Sequence, residues 1–181
     1  DPEALLNHAN VLKALGRHEE ALAGFDRALA VKPGFAQALN NRGTVYKALG
    51  RFDEALADYD RALTLAPGYA EALNNRGSVL QDLKRPAEAL ASYDMALRAQ
   101  PDYAAAFNNR GSALLDLGRH ADALGCFDRA LVLRPQDAEV LNNRGNALQG
   151  LLRHEEAVAS YDRALALRPD YGEAQGNRGQ A

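Results

Sequence analysis

Ala38-Leu39-Asn40-Asn41-Arg42-Gly43 decides how this chain is read, because it returns almost unchanged at Ala72 to Gly77, Ala106 to Gly111 and Val140 to Gly145. Each copy starts 34 residues after the one before it. An imperfect copy, Ala4 to Ala9, opens the sequence, and a sixth, Ala174 to Gly179, stands almost at its end. The 181 residues therefore read as one array over 1–181, with repeats 2–35, 36–69, 70–103, 104–137 and 138–171 and a partial sixth over 172–181.

Within a repeat the hydrophobic spacing is helical. Between 36 and 69, Ala38, Leu39, Gly43, Val45, Tyr46 and Leu49 form one apolar stripe, and Ala55, Leu56, Tyr59, Ala62 and Leu63 form another. Each repeat is thus two amphipathic helices, and the chain is all-α. Gly50 stands where the first helix needs a left-handed residue to stop, as do Gly16 and Gly118. Lys84 and Leu152 hold the same register, which predicts looser turns there. Pro86 falls in a first helical turn, where proline is tolerated. Pro33, Pro67, Pro101, Pro135 and Pro169 close the second helix of each repeat. The small residues Gly43, Gly77, Gly111 and Gly145 predict close packing on Ala55, Ala89, Ala123 and Ala157. The aromatic register Phe25, Tyr59, Tyr93, Phe127 and Tyr161 is expected to fill the space between repeats, where one repeat alone would leave its apolar face wet.

Charges recur with the same period. Asp26, Asp60, Asp94, Asp128 and Asp162 precede Arg42, Arg76, Arg110, Arg144 and Arg178, each pair crossing from one repeat to the next. Partly buried ion pairs are expected, each costing roughly 3 to 5 kcal/mol when one partner is removed.

Composition narrows the function classes. A formal net charge of -3 gives no general attraction to nucleic acid or to an anionic membrane surface. No apolar run approaches the roughly 20 residues of a membrane span, and Asp1-Pro2-Glu3 lacks the basic start of a signal peptide. The single cysteine, Cys126, forms no internal disulfide and reads as an incidental small residue. A cytoplasmic location is the default. Catalysis finds no support: His18, His120 and His154 recur at the turn into the second helix as solvated loop residues, with His8 alone elsewhere. Arg153-His154-Glu155-Glu156 lacks the second histidine of a zinc protease helix. Neither a glycine-rich phosphate loop nor a nucleophile elbow is present, so no enzyme and no cofactor are expected.

Leu39, Gly43, Tyr46, Ala55, Tyr59, Ala62 and Pro67, with the same set in the other repeats, resemble the tetratricopeptide repeat, a helix-turn-helix unit of 34 residues. The resemblance covers essentially the whole chain. Arg42 and its equivalents stand where that family usually carries an apolar residue. The resemblance implies an α-solenoid that stacks into a right-handed superhelix and binds peptides in a concave groove lined mainly by the first helix of each repeat. Carried over residue by residue, that groove falls on Glu3, Gln37 and Glu71; on Asn40, Asn74, Asn108 and Asn142; on Asn7, Asn41, Asn75, Asn109, Asn143 and Asn177; and on Asn10, Thr44, Ser78, Ser112 and Asn146. The asparagine run is also similar to the amide ladder in the tetratricopeptide superhelix of O-linked N-acetylglucosamine transferases and their bacterial relatives.

An asparagine side chain has two donors and one acceptor oxygen, so it pairs with both N–H and C=O of an extended peptide. The expected function is a protein interaction scaffold that reads backbone rather than side chains. The alternative is the substrate-selecting arm of a larger enzyme such as a glycosyltransferase. Five rungs with two bonds each, at roughly 1 kcal/mol per bond less the ordering of the peptide, imply roughly micromolar affinity over about fifteen residues. A receptor for chaperone tails would need several groove cations, and only Lys13 and Lys47 are available. The end of the chain, where Val158 and Leu165 precede ten residues with three glycines, predicts end-to-end self-association.

Overall fold

A computed structural model describes residues 1–181. It contains eleven helices and no strand: α1 Pro2–Ala14, α2 His18–Val31, α3 Ala36–Ala48, α4 Phe52–Leu65, α5 Ala70–Asp82, α6 Pro86–Ala99, α7 Ala104–Asp116, α8 His120–Leu133, α9 Ala138–Gly150, α10 His154–Leu167 and α11 Gly172–Arg178. They form two compact halves, Asp1–Arg85 with α1 to α5 and Pro86–Ala181 with α6 to α11. The odd-numbered helices open the repeats, and Pro86 is the first residue of α6, as its register predicts.

The two helices of a repeat are joined by one kind of turn. After α3 the Gly50 N–H donates to the Lys47 carbonyl (2.9 Å) and the Arg51 N–H to the Tyr46 carbonyl (2.8 Å), with Gly50 at φ 72°. This pair of bonds around a left-handed residue is a Schellman motif. Lys84 and Leu152 do not loosen it: at φ 58° and 59° they adopt the same left-handed conformation. The bonds persist too, from Lys84 to Gln81 (2.9 Å), Arg85 to Leu80 (2.8 Å), Leu152 to Gln149 (2.9 Å) and Arg153 to Leu148 (3.0 Å). Packing of the flanking helices therefore outweighs the local cost of about 1 to 2 kcal/mol for a side chain in that region. The second helices stop for a different reason. Lys32, Ala66, Arg134 and Arg168 each precede a proline, whose ring disfavours the helical region for them, and all four sit near φ −135° and ψ 85°.

The glycines of the first helices make room for aromatic rings rather than for alanines. A Cβ on Gly43 would stand 2.7 Å from Tyr59 Cε1, and one on Gly111 would stand 2.6 Å from Phe127 Cε1. Gly145 holds the same relation to Tyr161. The first repeat reverses the arrangement: Ala9 takes the glycine register, and Gly24 lies against it. All five rings are fully buried. Tyr59 packs with Ala55 and Val79, and Phe127 with Val140, Ala147 and Tyr161, so each ring joins its own repeat to the next. Helix α3 lies against α1 and α5, and α9 against α7 and α11, which aligns the first helices of each half on one face.

Every arginine–aspartate pair forms. Arg42–Asp26 is 2.5 Å, Arg76–Asp60, Arg110–Asp94 and Arg144–Asp128 are each 2.7 Å, and Arg178–Asp162 is 2.6 Å. The aspartates are 44 to 58% exposed, however, which lowers the contribution of a simple pair to about 0 to 1 kcal/mol. Arg42 differs, because it also makes a forked bond to buried Asp58 at 2.7 and 2.6 Å. At the equivalent place Arg110 meets the buried thiol of Cys126 (3.0 Å) and Arg144 meets the Ser160 hydroxyl (2.7 Å). The bond to Asp58 holds the Arg42 guanidinium well above its usual pKa, and burial pushes the Cys126 thiol up.

At the end of the second half, α11 packs onto half-buried Leu165 through Ala174 and Tyr171. His18 and His120 open α2 and α8 half-buried rather than solvated, each with a buried Nδ1 that has no partner. His120 rests against Gly150, where a Cβ would collide with its ring.

Candidate functional site

The polar face of the first helices carries two asparagine registers that the structure treats differently. Asn40, Asn74, Asn108 and Asn142 are 0, 6, 8 and 0% exposed, which leaves them little or no surface. They join neighbouring helices instead. Asn40 Nδ2 donates to Glu71 Oε1 (3.0 Å), Asn108 Nδ2 to Glu139 Oε1 (3.3 Å) and Asn142 Nδ2 to Glu173 Oε1 (3.0 Å). A buried amide needs such partners, since an unmet donor costs about 1 to 3 kcal/mol. Burial thus turns most of this register toward the neighbouring helices, and the next register along each helix faces the surface.

The second register is half-buried and faces the surface: Asn41, Asn75, Asn109 and Asn143, with Asn177 on α11 and the more exposed Asn7 on α1. Its amides are anchored by the first. Asn75 Nδ2 donates to Asn40 Oδ1 (3.0 Å), Asn143 Nδ2 to Asn108 Oδ1 (3.1 Å) and Asn177 Nδ2 to Asn142 Oδ1 (3.1 Å). Asn41 Nδ2 reaches back to Asn10 Oδ1 (2.9 Å). In Asn75 and Asn143 one N–H is committed this way, and the amide inventory leaves a second N–H and the oxygen lone pairs. Anchoring also fixes the rotamers, which lowers the ordering cost of any bond these amides make to a ligand.

The third set is mixed. The Thr44 hydroxyl donates to the Asn41 carbonyl (2.7 Å) and that of Ser112 to the Asn108 carbonyl (3.2 Å). Asn146 accepts from Tyr161 (2.8 Å) and from Asn177 (3.0 Å), while Ser78 accepts from Lys47. Burial and the Glu173 charge raise the Tyr161 phenol to about 12, so it remains a donor at neutral pH. In the first half a cleft of about 440 Å³ opens on this face, lined by Asn7, Asn10, Lys13, Gln37, Asn41 and Glu71 among others. A smaller one of about 230 Å³ in the second half is lined by Asn108, Asn109, Asp137 and Glu139 among others.

Three participants escape a reading of the sequence by residue type. Glu139 and Glu173 are the carboxylates that fix Asn108 and Asn142, and only their shared register with Glu71 signals it. Asp58 stands where other repeats have Gly24, Ser92, Cys126 and Ser160, so comparison down that column singles it out.

Family profiles described as tetratricopeptide repeats match residues 34–102, 74–138 and 138–171, and a further TPR repeat profile matches 9–50. No curated protein matches the chain. Among solved structures, YrrB, described as a TPR protein with an unusual peptide-binding site, is 26% identical with a TM-score of 0.77, over 99% of this chain and 92% of that one. TTC0263, a thermophilic TPR protein of Thermus thermophilus, is 24% identical with a TM-score of 0.78, over 99% of this chain and 98% of that one. MamA from Desulfovibrio magneticus RS-1 is 20% identical with a TM-score of 0.81, over 94% and 97%. The last two, below 25% identity, bear on the fold alone. No helix is long and apolar enough to cross a membrane.

Proposed function

Because this chain belongs to the tetratricopeptide repeat family, whose arrays serve as scaffolds for protein interaction, we propose that its asparagine face binds a partner segment in extended conformation through the partner's main chain. The observation that carries this reading is the half-exposed register, anchored at Asn41 and Asn75 in the first half and at Asn143 and Asn177 in the second, with Asn7 and Asn109 in the same register. The likeness to YrrB, described as having a peptide-binding site, agrees with it. Thr44, Ser78, Ser112 and Asn146 border the same register and supply further acceptors. Packed helices lie roughly 8 to 10 Å apart and an extended chain advances about 3.3 Å per residue, so one amide meets about every third residue. Three amides with two bonds each, at roughly 1 kcal/mol per bond, give each half a gross gain of about 6 kcal/mol before the peptide is ordered.

Replacing Asn75, Asn109 and Asn143 together by Ala tests the proposal. Binding of unrelated extended peptides falls alike, while helical content by circular dichroism is retained. Unchanged affinity for a confirmed partner would mean that these amides only stitch helices together. Were the array the substrate-selecting arm of a larger enzyme, such as a glycosyltransferase, the same face would do the binding and the same substitution would report it.

A second reading, end-to-end self-association, draws on Val11, which is 58% exposed where Val45, Val79, Ala113 and Ala147 in its register are fully buried. A Val11→Glu change then shifts sedimentation toward monomer, and a wild-type chain that is monomeric at high concentration rules the reading out.

A further inference from the structure

Where one repeat passes to the next, the residue before the first helix is aromatic at Phe35, Tyr69, Tyr103 and Tyr171, but the one before α9 is Asp137. In the first half Tyr69 packs against the cluster that includes Ala62 and Ala72, as does Ala36, and its hydroxyl accepts from Asn40 Nδ2 (3.3 Å). Asp137 does something else. It turns its carboxylate back to its own helix, accepting from the N–H groups of Glu139 and Val140 (both 3.2 Å).

The place of the missing ring is open. The cleft of about 230 Å³ in the second half is lined by Ala104, Ala130 and Val140, the equivalents of Ala36, Ala62 and Ala72, and by Asn108 and Glu139, the equivalents of Asn40 and Glu71. Ala105 widens it, since the same column holds Gln37, Glu71, Glu139 and Glu173 in the other repeats. The three apolar residues are buried and form the floor, while half-buried Ala105 and Asn109 and exposed Arg134 and Glu139 form a mouth on the asparagine face. Arg134 carries a second mark of the absent ring. In its column Lys32 lies 4.1 Å from the centre of the Phe35 ring and Arg168 lies 4.9 Å from that of Tyr171, whereas Arg134 lines the cleft with no ring three residues on. An apolar cavity of about 150 Å³ takes up benzene, so this cleft has room for one aromatic ring.

We infer that the cleft between α7, α8 and α9 is a pocket for an aromatic side chain of the bound segment, tyrosine above all, which completes this junction as Tyr69 completes its own. This rests on the peptide-binding reading above and adds a side-chain preference to it. The ring lies on Ala104, Ala130 and Val140, the Arg134 guanidinium covers its face, and the hydroxyl meets Asn108 as that of Tyr69 meets Asn40. Asn109 stands on the rim and belongs to the half-exposed amide register, so the ring and the main chain of one segment are held side by side.

Three fluorescein-labelled fifteen-residue peptides of Ser, Thr and Ala, alike except for Tyr, Leu or Ala at the central position, provide the test by fluorescence anisotropy with the full chain. The Tyr peptide is expected to bind about ten-fold tighter than the Ala peptide, with Leu between them. Asp137→Tyr puts a ring back into the cleft and brings the Tyr and Ala peptides to equal affinity. Its helical content by circular dichroism is retained, because Tyr69 and Tyr171 precede α5 and α11 without a side-chain cap. Arg134→Ala, at an exposed position, cuts the preference to about three-fold. Equal binding of the Tyr and Ala peptides to wild type overturns the pocket and leaves the amide reading standing. Absence of binding by all three overturns both. Leu equal to Tyr would make the cleft a general apolar one, and the ring assignment would be wrong. A preference that persists in full in Asp137→Tyr places the side chain elsewhere; should that variant lose its helical signal, Arg134→Ala decides, and an undiminished preference there overturns the pocket.

Discussion

Replacing Arg42 by Leu separates the two roles of the arginine register. Arg42 and Asp58 have side chains only 14 and 4% exposed, joined by two bonds of 2.7 and 2.6 Å, with Asp26 as a third contact at 2.5 Å. Leucine leaves the Asp58 carboxylate buried and without its main counterion. The one other cation nearby, Arg61, sits 3.8 Å away and 57% exposed, too solvated to substitute. Breaking a buried pair from one side costs about 3 to 5 kcal/mol. For a chain of this length that lowers the melting temperature by roughly 6 to 20 °C. Arg144→Leu is the control, since Arg144 has the same kind of exposed aspartate behind it but a neutral Ser160 hydroxyl in place of the Asp58 carboxylate. Ser160 keeps its bond to the Glu156 carbonyl (3.0 Å), so the loss there is about 1 kcal/mol, or roughly 2 to 4 °C. Thermal and urea melts followed by circular dichroism give both numbers, with the fit allowing for the stepwise unfolding of repeat arrays. Adding Asp58→Ser to Arg42→Leu removes the stranded charge and recovers most of the stability. Equal losses for Arg42→Leu and Arg144→Leu, or a double variant no better than the single, would refute the assignment.

Two further perturbations follow from backbone and packing. Lys84→Gly and Leu152→Gly relieve left-handed strain at φ 58° and 59°, and each raises stability by about 1 kcal/mol in urea melts; a loss would mean that the side chains contribute more than the strain. Glycines in helix interiors split by environment. Gly125→Ala, with nothing within 4 Å, gains about 0.5 to 1 kcal/mol, whereas Gly111→Ala, 2.6 Å from a fully buried Phe127 ring, loses about 1 to 2 kcal/mol once the helix-propensity gain is subtracted from overpacking. The same sign for both in thermal melts would contradict the packing described.

The period of 34 made the helices legible, because proline, glycine and the apolar stripes recur at fixed offsets and each has a local physical meaning. The arginine–aspartate pairs were legible for the same reason: two columns of opposite charge, each on an otherwise apolar face, must meet or be solvated. The depth of each pair was not, since it depends on a third column that varies from Asp58 to Cys126 to Ser160. Nor could residue type separate Asn40 from Asn41. Adjacent positions on a helix point about 100° apart, and only packing decides which amide turns inward. The turns at Lys84 and Leu152 show the reverse limit, where a local preference for looser backbone yields to the helices on either side.

Main-chain recognition is tested most directly with a peptide that lacks main-chain donors. An extended fifteen-residue peptide that binds the full chain, and the same peptide N-methylated at alternate residues on its bound edge, are compared by isothermal titration calorimetry. Three bonds of about 1 kcal/mol disappear if the half-exposed asparagines hold the backbone, which is a loss of roughly one hundred-fold in affinity. Equal affinity for the two peptides, with side chains identical in both, would contradict recognition through the amides.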